Sequence, residues 1–466
     1  MYNKFFFIII LTLLTFSGLS QGTKSLRINI SNYNDTILIL TSYYGDKIRI
    51  VDTAYSQKGK FEFKSDSTFS GGIYMAVSIR KTKLFEFILN NEARPTLSTD
   101  SSSFVRNMTT KGSKENKIFF NYVKYNESTY KKTREYYTEL KNTNVNNENY
   151  EKLVAKIDSL NQVSINYKLR VIETNPDLFV SKLLNSMRDV EFPDSITSKN
   201  DSSIIFRYYK KHYWDNIDLS DSRFLRTPVF DKKINEYFDQ LVVFQPDSII
   251  KGIDIVLKKT QESKENFSFL LWKFISEYQN PKFMGFDKVF VHLAETYFKN
   301  NSYQIENANA SVRKSIIDRA EKIKPLMLGS KAPNLILIDT SGNYVSFDRM
   351  TEKYLALLFW DFDCGICKKE IKYLKENMPN WKYDIGIFAI NTNGELDEWK
   401  KYIIDNKLNW MNVNGTRSVT NDFHDVYDIY GTPVIYLLDE KRNIVAKRMG
   451  AEQIPEIIDM FEKLKD

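Results

Sequence analysis

Leu355-Ala356-Leu357-Leu358-Phe359-Trp360-Asp361-Phe362-Asp363-Cys364-Gly365-Ile366-Cys367-Lys368-Lys369-Glu370 contains a strand, a loop and the start of a helix. Leu355 to Trp360 is a continuous apolar run, the pattern of a strand covered on both faces. From Cys367 the spacing becomes helical. Ile371 and Leu374 recur among charged residues, and Met378-Pro379 closes the segment. A helix start carries unpaired N–H groups and partial positive charge, which favour a thiolate. In Cys-X-X-Cys pairs the first cysteine's pKa can fall from about 8.5 to near 7 or below.

The chain has 2 cysteines in 466 residues, and both lie in this motif. A zinc site would need four ligands, and only His212, His292 and His424 are available, none in ligand spacing. A static disulfide across three residues closes a very short loop and contributes little chain entropy. Inert buried thiols are the remaining bland alternative. Thiol–disulfide chemistry is the reading favoured by the spacing and by the position after a strand.

Around this motif the chain divides by period. Residues 1–21 read as a signal peptide: Lys4 supplies the positive start, Phe5 to Phe16 the apolar stretch, and Gly18-Leu19-Ser20 the small residues before Gln21. No cysteine follows, so lipoprotein anchoring is not expected; a retained anchor is the alternative to cleavage. Residues 22–108 show period two, at Leu26, Ile28 and Ile30, at Phe61 and Phe63, at Ile73, Met75, Val77 and Ile79, and at Phe85, Phe87 and Leu89. Turns at Gly45-Asp46, Lys58-Gly59 and Gly71-Gly72 complete a small antiparallel, sandwich-like β-module.

Residues 114–328 read as an α-helical region. Leu153, Ile157, Leu160, Tyr167 and Val171 share one face, and Pro176 suits the first turn of the next helix. Phe269, Leu270, Trp272, Phe274 and Ile275 form a second apolar stripe, and no fixed repeat is present. The net charge of +7 is spread through mixed Lys and Glu, which fits a solvated surface better than nucleic-acid binding.

Residues 329–466 alternate strands and helices. A hairpin turns at Asp339 to Gly342, the Leu355 strand and the Cys364 helix follow, and a strand spans Asp384 to Ile390. A helix covers Glu395 to Asn406, strands cover Val434 to Leu438 and Ile444 to Lys447, and a last helix covers Ile454 to Leu464. The expected fold is a mixed α/β sheet with helices on both faces.

This last segment resembles the thioredoxin superfamily and, within it, the TlpA/ResA-like extracytoplasmic thiol–disulfide oxidoreductases. The likeness rests on Gly329-Ser330-Lys331-Ala332-Pro333, on Asp339 to Gly342, on Phe359-Trp360, on Cys364 and Cys367, and on Gly431-Thr432-Pro433. The resemblance implies a multi-domain exported protein of the periplasm or cell envelope with a C-terminal thioredoxin fold. It implies that Cys364 attacks, that Cys367 resolves, and that the two form a redox disulfide.

It also implies a cis bond before Pro433, a substrate-binding surface at Thr432, Pro433 and Trp360, and proton exchange between Glu370 and Cys367. The implied task is reduction of disulfides in envelope proteins, with electrons from a membrane thiol donor and no metal or organic cofactor. The upstream modules look similar to regions of uncharacterised function that precede such domains in some exported bacterial proteins.

Some residues depart from the family pattern. Gly365-Ile366 lacks the usual proline, Leu358 replaces the buried aspartate of typical thioredoxins, and Asp361 and Asp363 are expected to raise the Cys364 pKa. Two other readings are a thiol peroxidase, which would need a threonine where Asp361 stands, and an envelope scaffold with a secondary redox domain.

Overall fold

The computed structural model describes residues 24–464 except 93, 146, 199 and 200. The expected signal peptide lies outside the described residues. The chain forms two compact units, one of Met1–Leu241 with Lys259–Asn266 and the other of Val242–Lys258 with Phe267–Asp466.

In the first unit the strands are β1 (Ser25–Ser31), β2 (Ile37–Tyr44), β3 (Lys47–Tyr55), β4 (Lys60–Lys64), β5 (Gly72–Ser78), β6 (Lys83–Leu89), β7 (Thr96–Asp100) and β8 (Thr109–Lys111). They form two sheets, β4-β1-β7-β8 and β3-β2-β5-β6. Leu26, Ile28, Phe61 and Phe63 from one sheet share a core with Leu38, Leu40, Phe85 and Phe87 from the other, so the module is a sandwich. The Lys58-Gly59 turn has positive φ at both residues, and a Cβ on Gly59 would stand 2.6 Å from the Ile30 carbonyl oxygen.

Two details correct the period-two reading. β1 pairs with β7 in parallel, so the module is not wholly antiparallel; only neighbours joined by a hairpin must be antiparallel. In β5 the sandwich core takes Tyr74 and Ala76. Ile73 and Met75 are buried outside that cluster, and Ile79 is exposed. A strand covered on both faces hides from its own sequence which face is which.

Helices Lys114–Lys141 and Glu148–Thr174 follow. Leu153, Ile157 and Val171 are buried, and Tyr167 packs on Tyr125 with ring centroids 4.2 Å apart. Pro176 does not open the next helix, which spans Phe179–Ser186. The buried Glu115 caps that helix instead, accepting the Phe179 and Val180 N–H groups at 2.8 Å each. The long-range cap satisfies helix-start donors that no local side chain reaches.

The second unit carries a sheet of β9 (Ile336–Asp339), β10 (Tyr344–Ser346), β11 (Tyr354–Trp360), β12 (Ile385–Asn391), β13 (Met411–Ser418), β14 (Val434–Leu438) and β15 (Ile444–Lys447). Its order is β10-β9-β13-β12-β11-β14-β15. β11 pairs in parallel with β12 and antiparallel with β14. Its alternate residues feed two cores: Ala356, Leu358 and Trp360 on one face, Leu355, Leu357 and Phe359 on the other. This double burial is why the run is continuously apolar, and each buried leucine contributes about 1.5–3 kcal/mol.

Helices were expected on both faces. The three longer ones, Gly365–Asn377, Leu396–Asn406 and Ile454–Lys463, all contribute to the Trp360 face. The opposite face is covered by the short Phe423–Val426 helix and by segments carrying Leu326, Ala332 and Leu335. Two right-handed crossovers running in one direction, β11 to β12 to β13, place both of their helices on the same side.

Strand β13 is absent from the sequence reading. Its residues are mostly polar, but Asn412 and Asn414 are buried and hydrogen-bonded, so they complete the interior without an apolar pattern.

Candidate active site

β11 ends at Trp360, and the loop Asp361 to Asp363 delivers the chain to the N-cap, Cys364. The Asp361 carboxylate accepts the Asp363 N–H at 2.8 Å and the Asn393 side-chain amide at 3.2 Å. The Cys364 N–H donates to the Asp361 carbonyl at 3.1 Å. Asn393 is itself held from below: its carbonyl accepts from Asn391 at 2.7 Å and from Asn414 at 3.1 Å. Sequence reading passed over these three asparagines. The available signal was the position of Asn391 and Asn393 at the carboxyl end of the parallel strand β12, where sites of open α/β sheets gather.

The two sulfurs are free thiols in unlike surroundings. Cys364 is half-buried and Cys367 fully buried. The Cys364 Sγ accepts the Cys367 N–H at 3.2 Å and donates to the Thr432 carbonyl at 3.5 Å. Partial burial pushes the Cys364 thiol up, but hydrogen bonds from the Cys367 side chain and amide, from Thr432 and from the Ile366 amide outweigh it. Its pKa therefore lies below the ordinary cysteine value. Burial, reinforced by the hydrogen bond to Cys364, pushes the Cys367 thiol up to about 12.

The expectation that Asp361 and Asp363 raise the Cys364 pKa is thus overturned. The Asp361 carboxylate accepts the Asp363 N–H within its own loop, and neither acid is among the main causes of the downward Cys364 shift.

Thr432 and Pro433 stand beside the sulfurs as expected, joined by a cis peptide bond. Trp360 does not line a substrate surface. It is fully buried in the core with its ring 5.5 Å from Tyr402, because the last residue of β11 still faces the covering helices. Glu370 is half-buried, one turn beyond Cys367, and its carboxylate accepts the Ala451 N–H at 2.7 Å; that bond does not go to Cys367. The histidines sit elsewhere: His212 pairs with Asp215, His292 with Asp254 and His424 with Asp422. Among the described residues no group of three or more His, Cys, Asp or Glu side chains is placed to hold a metal ion.

Comparison with known proteins gives three family matches. Residues 25–119 match a domain of unknown function (DUF4369), residues 142–325 another (DUF5106), and residues 328–447 the AhpC/TSA family. The chain is similar to the thiol-disulfide oxidoreductase ResA of Bacillus subtilis (strain 168), 29% identical over 140 residues, which are 29% of this chain and 75% of that protein.

Among solved structures it is similar to a domain of a possible thiol-disulfide isomerase from Cytophaga hutchinsonii. That likeness is 39% identical, covers 30% of this chain and 95% of that one, and has a TM-score of 0.27. A thioredoxin-like protein from Bacteroides caccae is 19% identical over 59% of this chain and 98% of its own, with a TM-score of 0.45. Through its C-terminal domain the chain is a thioredoxin-fold thiol-disulfide oxidoreductase similar to the ResA/TlpA-like kind.

Proposed function

We propose that the protein acts in the cell envelope as a disulfide reductase, in which Cys364 attacks a substrate disulfide and Cys367 resolves the mixed disulfide. The observation that carries this is the division of labour between the sulfurs. Cys364 is accessible at a helix N-cap with its pKa held down, and Cys367 is buried with its pKa pushed up. The lower-pKa, more accessible sulfur is the one that can attack as thiolate. The buried thiol is protected until the first exchange brings a disulfide beside it.

Glu370, one turn beyond Cys367, is the group proposed to exchange a proton with that thiol during resolution. The apolar stretch at Phe5 to Phe16 supports export. Disulfide-bearing envelope proteins are then the substrates and a membrane thiol donor the electron source. Among the described residues no helix is long and apolar enough to cross a membrane.

The reduction potential of the Cys364–Cys367 couple tests the direction. A value near −270 mV or below supports the reductase, and a value near −120 mV assigns an oxidant instead. The extent of the two upstream regions of unknown function favours a second reading, an envelope scaffold with a secondary redox domain. Cys364→Ser separates the two readings: it abolishes the cellular function of a reductase and leaves that of a scaffold intact. The AhpC/TSA match brings a thiol peroxidase into view, but Asp361 holds the position where that chemistry would need a threonine. Hydrogen peroxide consumption by the reduced protein checks it.

A further inference from the structure

One wall of the site comes from outside residues 329–466. A groove of about 510 Å³ opens at the cysteine motif, lined by Ile366, Gly431, Pro433 and Val434 from the sheet domain and by Asn280 and Arg319 from the helical region. All of these residues belong to the second compact unit.

The lining from the sheet domain next to the cysteine motif is apolar and rich in backbone. Ile366 and Tyr430 are exposed there. Among the described residues the N–H groups of Gly431 and Thr432 make no hydrogen bond. Free main-chain groups beside a reactive sulfur suit an extended chain, which can pair with them as an added strand.

The rest of the lining is rich in donors. Arg319 donates to the Asn280 side-chain oxygen at 2.9 Å, to the Gln279 carbonyl at 3.3 Å and to Asp428 at 3.4 Å. Arg448 donates to the Asp428 carboxylate at 2.7 Å and to its carbonyl at 3.0 Å. Two guanidinium groups therefore face one buried carboxylate, while Glu370, the other acid of the lining, is engaged by the Ala451 amide. A guanidinium carries five donors in a fixed fork, so both arginines and the Asn280 amide have N–H groups left for oxygen acceptors.

We propose that Asn280 and Arg319 form a specificity wall, donating hydrogen bonds to the carbonyl and carboxylate oxygens of an extended polypeptide that runs from the cysteine attacked by Cys364. The helical region would thereby select protein disulfides over small ones. This rests on the dithiol-exchange reading above. In each turnover the substrate S–S bond breaks, the Cys364–Cys367 bond forms, and the two protons of the dithiol leave on the two substrate thiols.

The test uses the full chain, reduced beforehand and mixed with insulin or with hydroxyethyl disulfide, with loss of its thiols followed in time. Arg319→Ala and Asn280→Ala are expected to lower the ratio of the insulin rate to the hydroxyethyl disulfide rate. For Arg319→Ala the drop is about tenfold, the loss of one charge-assisted hydrogen bond. Arg319→Lys keeps the charge without the fork and is expected to give an intermediate ratio. Because a ratio is read, a partly misfolded variant does not mimic the effect. An unchanged ratio in all three variants overturns the proposal and leaves the exchange reading standing. A wild-type protein inert to both disulfides overturns the exchange reading, and this proposal with it.

Discussion

At the scale of single residues, the site is a pair of like groups made unlike by their surroundings. Cys364 keeps its thiol available and its pKa low through donors at a helix start, whereas burial holds Cys367 protonated. The rate of Cys364 alkylation by iodoacetamide is therefore expected to show an inflection below about pH 8.5, the free-cysteine value. Below the inflection the rate falls about tenfold per pH unit, as the thiolate fraction does. An inflection at or above the free value contradicts the geometry.

Glu370→Gln separates two roles. If the carboxylate exchanges a proton with Cys367, resolution of a mixed disulfide slows on the order of a hundredfold, while Cys364 alkylation is unchanged. If the side chain only caps the Ala451 amide, the glutamine oxygen substitutes and resolution keeps its rate. The cysteine pair was legible from spacing alone. The loop network of Asp361, Asn391, Asn393 and Asn414 was not, because its hydrogen-bonded pairs lie up to 32 residues apart and carry no pattern of their own.

At the scale of elements, β11 governs the domain because both of its faces are buried. Trp360, read from sequence as a substrate contact, is a core residue. Trp360→Ala is expected to lower the unfolding free energy by about 3–5 kcal/mol in urea titration, with the exchange rate per folded molecule unchanged. A weakened affinity for substrate without loss of stability would restore the original reading. Most strands and helices around β11 were legible because each carries its own period or cap. β13 was not: its asparagines are buried with hydrogen-bond partners supplied by other elements, and a buried polar strand looks like a loop until those partners are known.

At the scale of the molecule, the second unit includes helical segments as well as the redox domain, and a buried ion pair joins them. Lys447 on β15 contacts Asp287, at the start of the Asp287–Leu293 helix, and donates to the Leu326 carbonyl at 2.6 Å. Both side chains of the pair are 9% exposed. Asp287→Ala is expected to cost about 3–5 kcal/mol, since it leaves Lys447 buried without a counter-charge. Replacing the pair together, Asp287→Leu with Lys447→Met, is expected to recover much of that loss. Urea unfolding of the two variants decides whether the pair behaves as a buried one or as a surface contact.

By itself the sequence determined the redox pair, the strand that carries it, the order of the sheet-forming and helical regions, and the turn at Gly431-Thr432-Pro433. These are local or periodic features, and burial on one face or two writes them directly into the spacing of apolar residues. Only the tertiary structure decided which polar groups meet. Glu115 caps a helix 64 residues away, the Asp361 carboxylate meets Asn393, and Arg319 and Pro433 line one groove. The reason is physical: a polar side chain's role depends on the partner that satisfies it once water is removed, and that partner is chosen by the fold rather than by neighbours in the chain.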